Sequence, residues 1–268
     1  MRRIIAGLLA LSAAVSLAAF AGAAFSSEAR ADAFEDILKK GVVRIATPLD
    51  VPPMGSQNEK REAEGFDVEL AGMIAKALGV KLEMQQITAG NRIPYLMTNK
   101  VDIVISVMGL TPERARQIMF TSPYADTQLA VYGPKALPVS SADQLGNLKV
   151  AATKGSTMDT GLSQMNPKAQ IMRTEDDATA ATAYVSGQTE LFATNSLLIP
   201  DLKRLNPNKE FEMKFPIRRS PAHMGVRMGE HNLVRWLDEF IFFNMMNGEI
   251  DRLHQKWLGM KLQPLPTL

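Results

Sequence analysis

Short apolar runs alternate with helical stretches along most of this 268-residue chain. VVRIATP (42–48) and VDIVIS (101–106) are typical of strands, whereas GFDVELAGMIAKALG (65–79) places its large apolar side chains on one helical face. Asp67 is expected to cap the start of that helix and Gly79 to end it. Strands that alternate with crossover helices are typical of parallel sheets. The sequence therefore predicts an α/β fold.

The alternation starts a second time near residue 148. LKVAATKGST (148–157) predicts a strand followed by a loop, and two more strands are predicted at 169–174 and 190–195, with helices between them. The segments 95–106 and 183–194 share the order helix, turn, acidic residue, apolar strand and terminal hydroxyl. This similarity favours two related halves, whose strand ends and loops would meet at a shared cleft.

The N-terminus predicts a signal peptide. Arg2 and Arg3 precede an apolar run that extends from Ile4 to Phe25 and is followed by ARADA, a small-x-small cleavage site. Cleavage after Ala31 or Ala33 fits this pattern, and export would place the protein in the periplasm. The alternative is an uncleaved anchor, because an apolar run of about 20 residues can span a bilayer.

Composition excludes several classes of function. The absence of cysteine rules out disulfides and thiolate metal sites. Without the N-terminal leader, basic and acidic side chains are equal in number and no basic stripe appears, so nucleic acid is not an expected partner. The three histidines lack metal-ligand spacing, and no GxSxG elbow, phosphate loop or dinucleotide fingerprint is present. We therefore expect neither a metal nor a cofactor.

The stretch VMGLTPERAR (107–116) places a cation where a helix begins. Thr111 is a good N-cap, Pro112 suits the first helical position, and Glu113 complements the helix dipole. Arg114 instead adds positive charge to an end that is already positive, which costs roughly 0.3 kcal/mol. A ligand carboxylate that meets the guanidinium and the free N–H groups would explain it. The alternative is an arginine that pairs with a glutamate or lies in solvent.

A second candidate anion site lies in KGST (154–157), after the first strand of the second half. Gly155 lets the backbone approach a ligand closely, and Ser156 and Thr157 supply hydroxyl and N–H donors. Two such sites that face each other across a cleft would bind one acidic group from both sides.

In this order, the motifs resemble those of extracytoplasmic solute-binding proteins of the polar amino-acid ABC-transporter family, bacterial solute-binding family 3. The resemblance covers nearly all of residues 35–260, and its most specific part is KVDIVISVMGLTPERARQIMFTSPY (100–124). Parts that are weaker individually are DVPP (50–53), the helix at 65–79, RIPYL (92–96), KGST (154–157) and NGEIDRLHQKWLG (247–259).

The resemblance implies an α/β, two-lobed periplasmic-binding-protein fold (type II) that closes on its ligand. Each lobe would be a mostly parallel sheet flanked by helices, and two hinge strands would join the lobes, near Gly133 and around 216–222. After a signal peptide at 1–31, residues 35–132 and 223–262 would form lobe 1 and residues 133–222 would form lobe 2.

The resemblance also implies ligand contacts. Arg114 matches the arginine that binds the α-carboxylate of the ligand, and Ser156 and Thr157 match the lobe 2 donors to the same group. Asp50 matches an acidic position near the amino group or side chain of the ligand.

Several ligand positions depart from the family pattern. Gly109 offers only backbone groups where Ser or Thr is usual, and Ala89 and Met54 stand where aromatic residues are common. Asn195 replaces the acid that binds the ligand ammonium, which leaves a bond of about 1 kcal/mol instead of about 1.5–3. Either Asn195 is a neutral variant, or the ligand lacks a free amine, or Asp50 binds that amine.

These observations lead to the hypothesis of a periplasmic, monomeric substrate-binding component of an ABC importer, without enzymatic activity. It would bind an amino acid or another small carboxylate-bearing solute and deliver it to a membrane permease.

One alternative is an enzyme similar to cyclohexadienyl dehydratase, which eliminates water and CO₂ from prephenate-like acids. That chemistry needs a general acid in the cleft, and the sequence identifies none. The other alternative is a membrane-anchored sensor or binding module, which requires a retained leader.

Overall fold

A computed structural model describes residues 32–266 of the protein, so the predicted signal peptide at 1–31 lies outside the described residues. The strands are β1 (Val42–Thr47), β2 (Ser56–Gln57), β3 (Ala63–Glu64), β4 (Lys81–Gln86), β5 (Ile103–Gly109), β6 (Ile118–Gly133), β7 (Lys149–Thr153), β8 (Gln170–Thr174), β9 (Leu191–Asn195) and β10 (Glu212–Arg227). The helices are α1 (Ala33–Lys40), α2 (Phe66–Leu78), α3 (Arg92–Met97), α4 (Pro112–Ala115), α5 (Thr157–Met165), α6 (Asp177–Val185), α7 (Ile199–Leu205), α8 (His231–Met246) and α9 (Glu249–Leu258). Within the described range, no helix combines the length and the apolar character needed to cross a bilayer.

Eight strands form one mixed sheet in the order β4-β1-β5-β10-β6-β9-β7-β8. At one end β1 runs parallel to β4 and β5, and at the other end β7 runs parallel to β8 and β9. Between these groups, β6 and β10 are antiparallel to each other and to their outer neighbours. We call the half around β4, β1 and β5 lobe 1, and the half around β9, β7 and β8 lobe 2. The predicted α/β fold with mostly parallel sheets is confirmed.

The two long strands β6 and β10 pass through both lobes. β10 pairs with β5 over Ala222–Val226 and β6 pairs with β9 over Leu129–Tyr132, so the chain crosses between the lobes in the intervening residues. Gly133, near which a hinge was expected, is the last residue of β6. Both lobes belong to one compact unit, and the residue boundaries of the lobes remain a prediction.

Apolar side chains of lobe 1 form a large core between the sheet, α2 and the C-terminal helices. Phe66 of α2 is fully buried, with its ring centroid 6.0 Å from that of Tyr124 and 5.0 Å from that of His254. Leu237 of α8 and Leu253 of α9 belong to the same core. The C-terminal helices therefore pack onto lobe 1 and stabilise the strands beside the cleft.

Asp67 does not cap α2, and this expectation from the sequence is wrong. The N-cap is Gly65, and the N–H groups of Phe66 and Asp67 donate to the carbonyls of Pro53 and Met54 at 3.0 and 2.8 Å. Because backbone carbonyls satisfy the first turn, the Asp67 carboxylate is free to turn into the core. Gly79, by contrast, ends α2 in the left-handed conformation with φ 69°, as expected.

Candidate functional site

The side chain of Arg114 connects the two lobes. Its Nη1 donates to the Gly109 carbonyl at 2.7 Å in lobe 1 and to Thr157 Oγ1 at 3.0 Å in lobe 2. Its Nη2 donates to the Gly155 carbonyl at 3.0 Å. Burial, together with the positive charges of Arg92 and Arg218, lowers the pKa of Arg114 to about 10, which still leaves the group charged at neutral pH. Arg114 and KGST therefore face each other across the cleft.

Arg114 reaches this position from a short, well-capped helical turn. Thr111 Oγ1 accepts a hydrogen bond from the Arg114 N–H at 3.3 Å, and Pro112 begins α4, as the sequence predicted. The cap fixes the direction in which the arginine leaves the backbone.

Gly109 ends β5 where a side chain would collide with the hydroxyl groups of neighbouring residues. A Cβ atom there would lie 2.5 Å from Ser220 Oγ and 3.1 Å from Thr157 Oγ1. The glycine thus lets β5 approach β10 and α5 closely, and its carbonyl accepts from Arg114. Ser or Thr at this position would require those hydroxyl groups to shift.

The KGST loop leads directly into α5. Ser156 is the N-cap, and its Oγ accepts from the Asp159 N–H at 3.1 Å, so its hydroxyl oxygen caps the start of α5. Gly155 has a φ of +69°, and Gly90 Cα of lobe 1 would lie 3.7 Å from a Cβ placed on it. A left-handed glycine therefore allows close contact between the lobes, while Thr157 faces Arg114.

A cavity of about 20 Å³ lies between the lobes, next to these contacts. That volume holds about one water molecule, whereas small-molecule sites measure roughly 300–1,000 Å³. The cleft must therefore widen to admit a solute. Its polar lining includes Arg92, Ser106, Thr157, Asp177, Asn195 and Ser220.

Asp177 is a buried acid in this lining that sequence reasoning missed. It is the first residue of α6, and its Oδ1 accepts from Thr153 Oγ1 at 2.8 Å. Burial first, and then the negative charge of Asp50, raise the pKa of Asp177 to about 6. A titratable carboxyl group that the sequence did not identify is therefore present in the cleft.

Asp50 and Asn195 take different positions around the cavity. Asp50 of lobe 1 accepts the Asp177 N–H through Oδ2 at 2.8 Å and lines an adjoining open pocket of about 320 Å³. Burial raises the pKa of Asp50. Asn195 is buried at the end of β9, where its Oδ1 accepts the Leu197 N–H at 3.1 Å. Asp50 thus links the lobes beside the cavity, while Asn195 lines the cavity itself.

Arg92 is a second buried arginine that the sequence analysis did not single out for a role in the site. It begins α3, only 8% of it is exposed, and it lines the cavity with Asp177 and Asn195. The sequence carries the same signal at Arg92 as at Arg114, because both arginines place a cation in the first turn of a helix.

A buried hydrogen-bond chain connects the core of lobe 1 to the wall of the cavity. Val107 has a φ of +43°, which is strained for a β-branched residue. Its N–H donates to Tyr124 Oη at 3.0 Å, and Tyr124 donates to Asp67 Oδ1 at 2.9 Å. Burial raises the pKa of Asp67 to about 7. The chain holds Val107 in a conformation that β5 would not adopt unaided.

The raised pKa of Asp67 predicts a pH-dependent stability. A carboxyl group with a raised folded-state pKa stabilises the fold below its unfolded pKa of about 4, and this contribution disappears as the pH rises to about 7. Asp67→Asn mimics the neutral carboxyl group. Between pH 5 and pH 8, the free energy of unfolding of the wild type should therefore fall by about 2 kcal/mol relative to that of Asp67→Asn, as measured by urea unfolding.

The matched control for this comparison is Asp143→Asn, which changes an exposed carboxylate of lobe 2. It should keep the pH dependence of the wild type. An Asp67→Asn variant with the same pH dependence as the wild type would show that Asp67 is ionised in the fold throughout this range.

The structure brings the six predicted residues to one region, but in three different ways. Gly109, Arg114 and Thr157 contact one another directly. The other three lie around the same cleft without contacting that group through the bonds above: Ser156 and Asn195 line the cavity, and Asp50 lines the adjoining open pocket. Their contacts with a ligand remain predictions.

Comparisons with known proteins agree with this arrangement. A family model described as bacterial extracellular solute-binding proteins, family 3, matches residues 43–260. A glutamine-binding protein of an ABC transporter from Bacillus subtilis (strain 168) is 27% identical over 260 residues, covering 94% of this chain and 95% of the relative. Cyclohexadienyl dehydratase from Pseudomonas aeruginosa is 25% identical over 248 residues, covering 88% and 90%.

A solved structure confirms the fold class predicted from the sequence, the two-lobed periplasmic-binding-protein fold (type II). It is the crystal structure of an ancestral amino-acid-binding protein, described as a precursor of cyclohexadienyl dehydratase. It matches with a TM-score of 0.78 and 30% identity, covering 84% of this chain and 99% of that one.

Proposed function

This chain belongs to the bacterial extracellular solute-binding proteins, family 3, and from that premise we propose that it is the amino-acid-binding component of an ABC importer. It binds the α-carboxylate of its ligand between Arg114 and the KGST loop and delivers the solute to a membrane permease. The observation that carries this proposal is the buried Arg114 guanidinium, which donates to Gly109 of one lobe and to Thr157 and Gly155 of the other.

The Arg114 contacts explain how a carboxylate would be bound. A guanidinium has five N–H donors, and three of those of Arg114 are used in its bonds to the protein, which leaves two for a ligand. The hydroxyl and N–H of Thr157 are further donors on the opposite wall. A carboxylate between them would be bound by both lobes at once, so that binding energy favours closure. The two long strands β6 and β10, which join the lobes, are the elements that would bend.

The amino group of the ligand has a recipient in Asp177. Its carboxylate lines the same cavity as Thr157 and Asn195, and one of its oxygens already accepts from Thr153. An arriving ammonium would lower the pKa of Asp177 and keep the group ionised. In this proposal Asp177 replaces the acid that is missing at Asn195, and Asp50 orients α6 by accepting the Asp177 N–H.

A second candidate function is a dehydratase. The similarity to a cyclohexadienyl dehydratase favours it, and Asp177, with a pKa of about 6, supplies an acid in the cleft that such chemistry requires. Incubation of the protein with prephenate and arogenate, followed by measurement of phenylpyruvate and phenylalanine, separates the two functions. Turnover of either acid would establish an enzyme, and binding without turnover would support a receptor.

Ligand binding should be visible as thermal stabilisation. We expect one group of amino acids, added at millimolar concentration to the purified protein after unfolding and refolding to remove bound solute, to raise the melting temperature. A ligand present at about 100 times its Kd adds about 2.7 kcal/mol to the free energy of unfolding. Differential scanning fluorimetry against the proteinogenic amino acids, their amides at the α-carboxyl group, simple dicarboxylates, betaines and sugars measures this.

The response to this panel decides whether the protein is an amino-acid receptor. Stabilisation by amino acids but not by their amides at the α-carboxyl group supports the proposed carboxylate contact. If no amino acid shifts the transition and a betaine or sugar does, the proposal is wrong.

The place of action follows from the same proposal. Members of this family work outside the cytoplasm, and we infer that the leader at 1–31 directs export to the periplasm. N-terminal sequencing of the exported protein distinguishes cleavage near Ala31 or Ala33 from a retained anchor.

A further inference from the structure

Arg92 is a buried cation whose donors are not matched by acceptors in the described part of the chain. Only 8% of the residue is exposed, and its Nε is buried without a hydrogen-bond partner among residues 32–266. Among the ion pairs of residues 32–266, none includes Arg92. A buried guanidinium without a direct partner is costly, because its lost hydration is not replaced.

The carboxylates near Arg92 are each bound to another group. Asp177 accepts from Thr153 and Asp67 accepts from Tyr124, while Asp50 accepts the Asp177 N–H. Their charges act on Arg92 from a distance, and burial is the main cause that lowers its pKa. They offset part of the charge of Arg92 but leave the fork of N–H donors available, and this fork is the geometry that binds carboxylates with two parallel bonds.

A second guanidinium increases the need for an anion. The charge of Arg92 is one of the causes that lower the pKa of Arg114, so the two arginines, both on the lobe 1 side of the cleft, repel each other. Arg114 already has carbonyl and hydroxyl acceptors and is assigned to the α-carboxylate of the ligand. Because Arg114 binds that carboxylate, Arg92 still lacks a directly bound anion.

We propose that Arg92 binds a second carboxylate of the ligand, so that the solute is an amino acid with an acidic side chain. This inference rests on the proposed function and deepens it. The charges then match: the guanidinium groups of Arg114 and Arg92 meet two carboxylates, and the Asp177 carboxylate meets one ammonium. Asn195, which also lines the cavity, remains neutral and adds no negative charge beside the second carboxylate.

The test compares acids with their isosteric amides. Isothermal titration calorimetry of the purified protein with L-glutamate and L-glutamine, and with L-aspartate and L-asparagine, should show one acid bound about 10- to 100-fold more tightly than its amide. Arg92→Gln should remove this preference, mainly by weakening the binding of the acid. Arg116→Gln, which changes an exposed arginine of the same lobe, should keep it.

Each outcome bears on one of the two proposals. Equal affinity for acid and amide in the wild type, or an equal loss for both in Arg92→Gln, would overturn the role of Arg92 while the protein remains an amino-acid receptor. If none of the four compounds and no other amino acid binds, the proposed function itself fails. Should Arg92→Gln not fold, Arg92→Lys, which keeps the charge but not the fork, is expected to retain only part of the preference. The wild-type comparison is decisive without either variant.

Discussion

Replacement of Arg114 with alanine is expected to weaken the binding of the stabilising amino acid by about a hundredfold or more. A carboxylate held by two N–H groups of a buried guanidinium has charge-assisted bonds, each contributing about 1.5–3 kcal/mol. The remaining donors of Thr157 cannot replace them. Calorimetric titration of Arg114→Ala measures the loss directly.

The folded state without ligand should change much less than the affinity. Arg114→Ala removes bonds to the carbonyls of Gly109 and Gly155 and to the hydroxyl of Thr157, but these acceptors lie at a cleft that water enters when it widens. It also removes a desolvated charge that Arg92 and Arg218 repel. We therefore expect the free energy of unfolding to change by about 1 kcal/mol or less.

Two further variants separate charge from geometry. Arg116→Ala removes an exposed cation two positions away and should bind as the wild type does. Arg114→Lys keeps the charge without the fork and should fall between the wild type and Arg114→Ala. Affinity within threefold of the wild type in Arg114→Ala would mean that the carboxylate is bound elsewhere, and the proposed mechanism would fail.

Local sequence rules located the Arg114 side of the site because its signals lie within a few residues. The cap at Thr111, the proline after it and the misplaced cation are all contained in one turn. The same applies to KGST, where a strand ends in a glycine and two hydroxyl residues. The resemblance to the family then implied a ligand carboxylate as the group that these turns would bind.

Arg92 and Asp177 were missed because their importance depends on distant neighbours. Asp177 resembles any acidic residue in the first turn of a helix, where it complements the dipole. Only the fold places it against Thr153 and in the cavity with Arg92. Closeness along the sequence cannot reveal this, because Asp177 and Arg92 belong to different lobes.

Periodicity predicts the strands that flank the two central ones, but of the central strands themselves it predicts only the end of β6, in LAVYGPK (129–135). β1, β5, β7 and β9 are short apolar runs between turn residues, which periodicity detects. β6 and β10 each extend over 16 residues but contain Pro123, Pro216 and Pro221, which argue against a continuous strand. Their register shifts between Pro216 and Arg218 and near His223, so irregular pairing accommodates the prolines.

The largest effect on stability is expected for Gly65→Ala. Gly65 has a φ of +129°, and a Cβ atom there would lie 2.5 Å from the Met54 carbonyl oxygen and 2.8 Å from Gly55 Cα. Backbone atoms cannot move aside as the end of a flexible side chain can. Unfavourable conformation and steric overlap together should lower the free energy of unfolding by about 3 kcal/mol, which corresponds to about 6–12 °C in melting temperature.

Gly72 provides a matched control within the same helix. It lies inside α2, and a Cβ atom placed there meets nothing within 4 Å. Gly72→Ala should therefore raise the free energy of unfolding by about 0.5–1 kcal/mol, because alanine loses less backbone entropy in a helix. Glycine-to-alanine substitutions at two positions seven residues apart should thus shift the melting temperature in opposite directions.

The consequence of Gly65→Ala should reach the binding site as well. The Gly65 conformation directs the N–H groups of Phe66 and Asp67 to the carbonyls of residues 53 and 54, which places Asp67 beneath Tyr124. Tyr124 in turn holds the strained Val107 at the cavity wall. Gly65→Ala should therefore lose affinity even well below its melting temperature, whereas Gly72→Ala should bind normally. A Gly65→Ala protein that is destabilised but binds with wild-type affinity would show that the cavity wall is held independently of this turn.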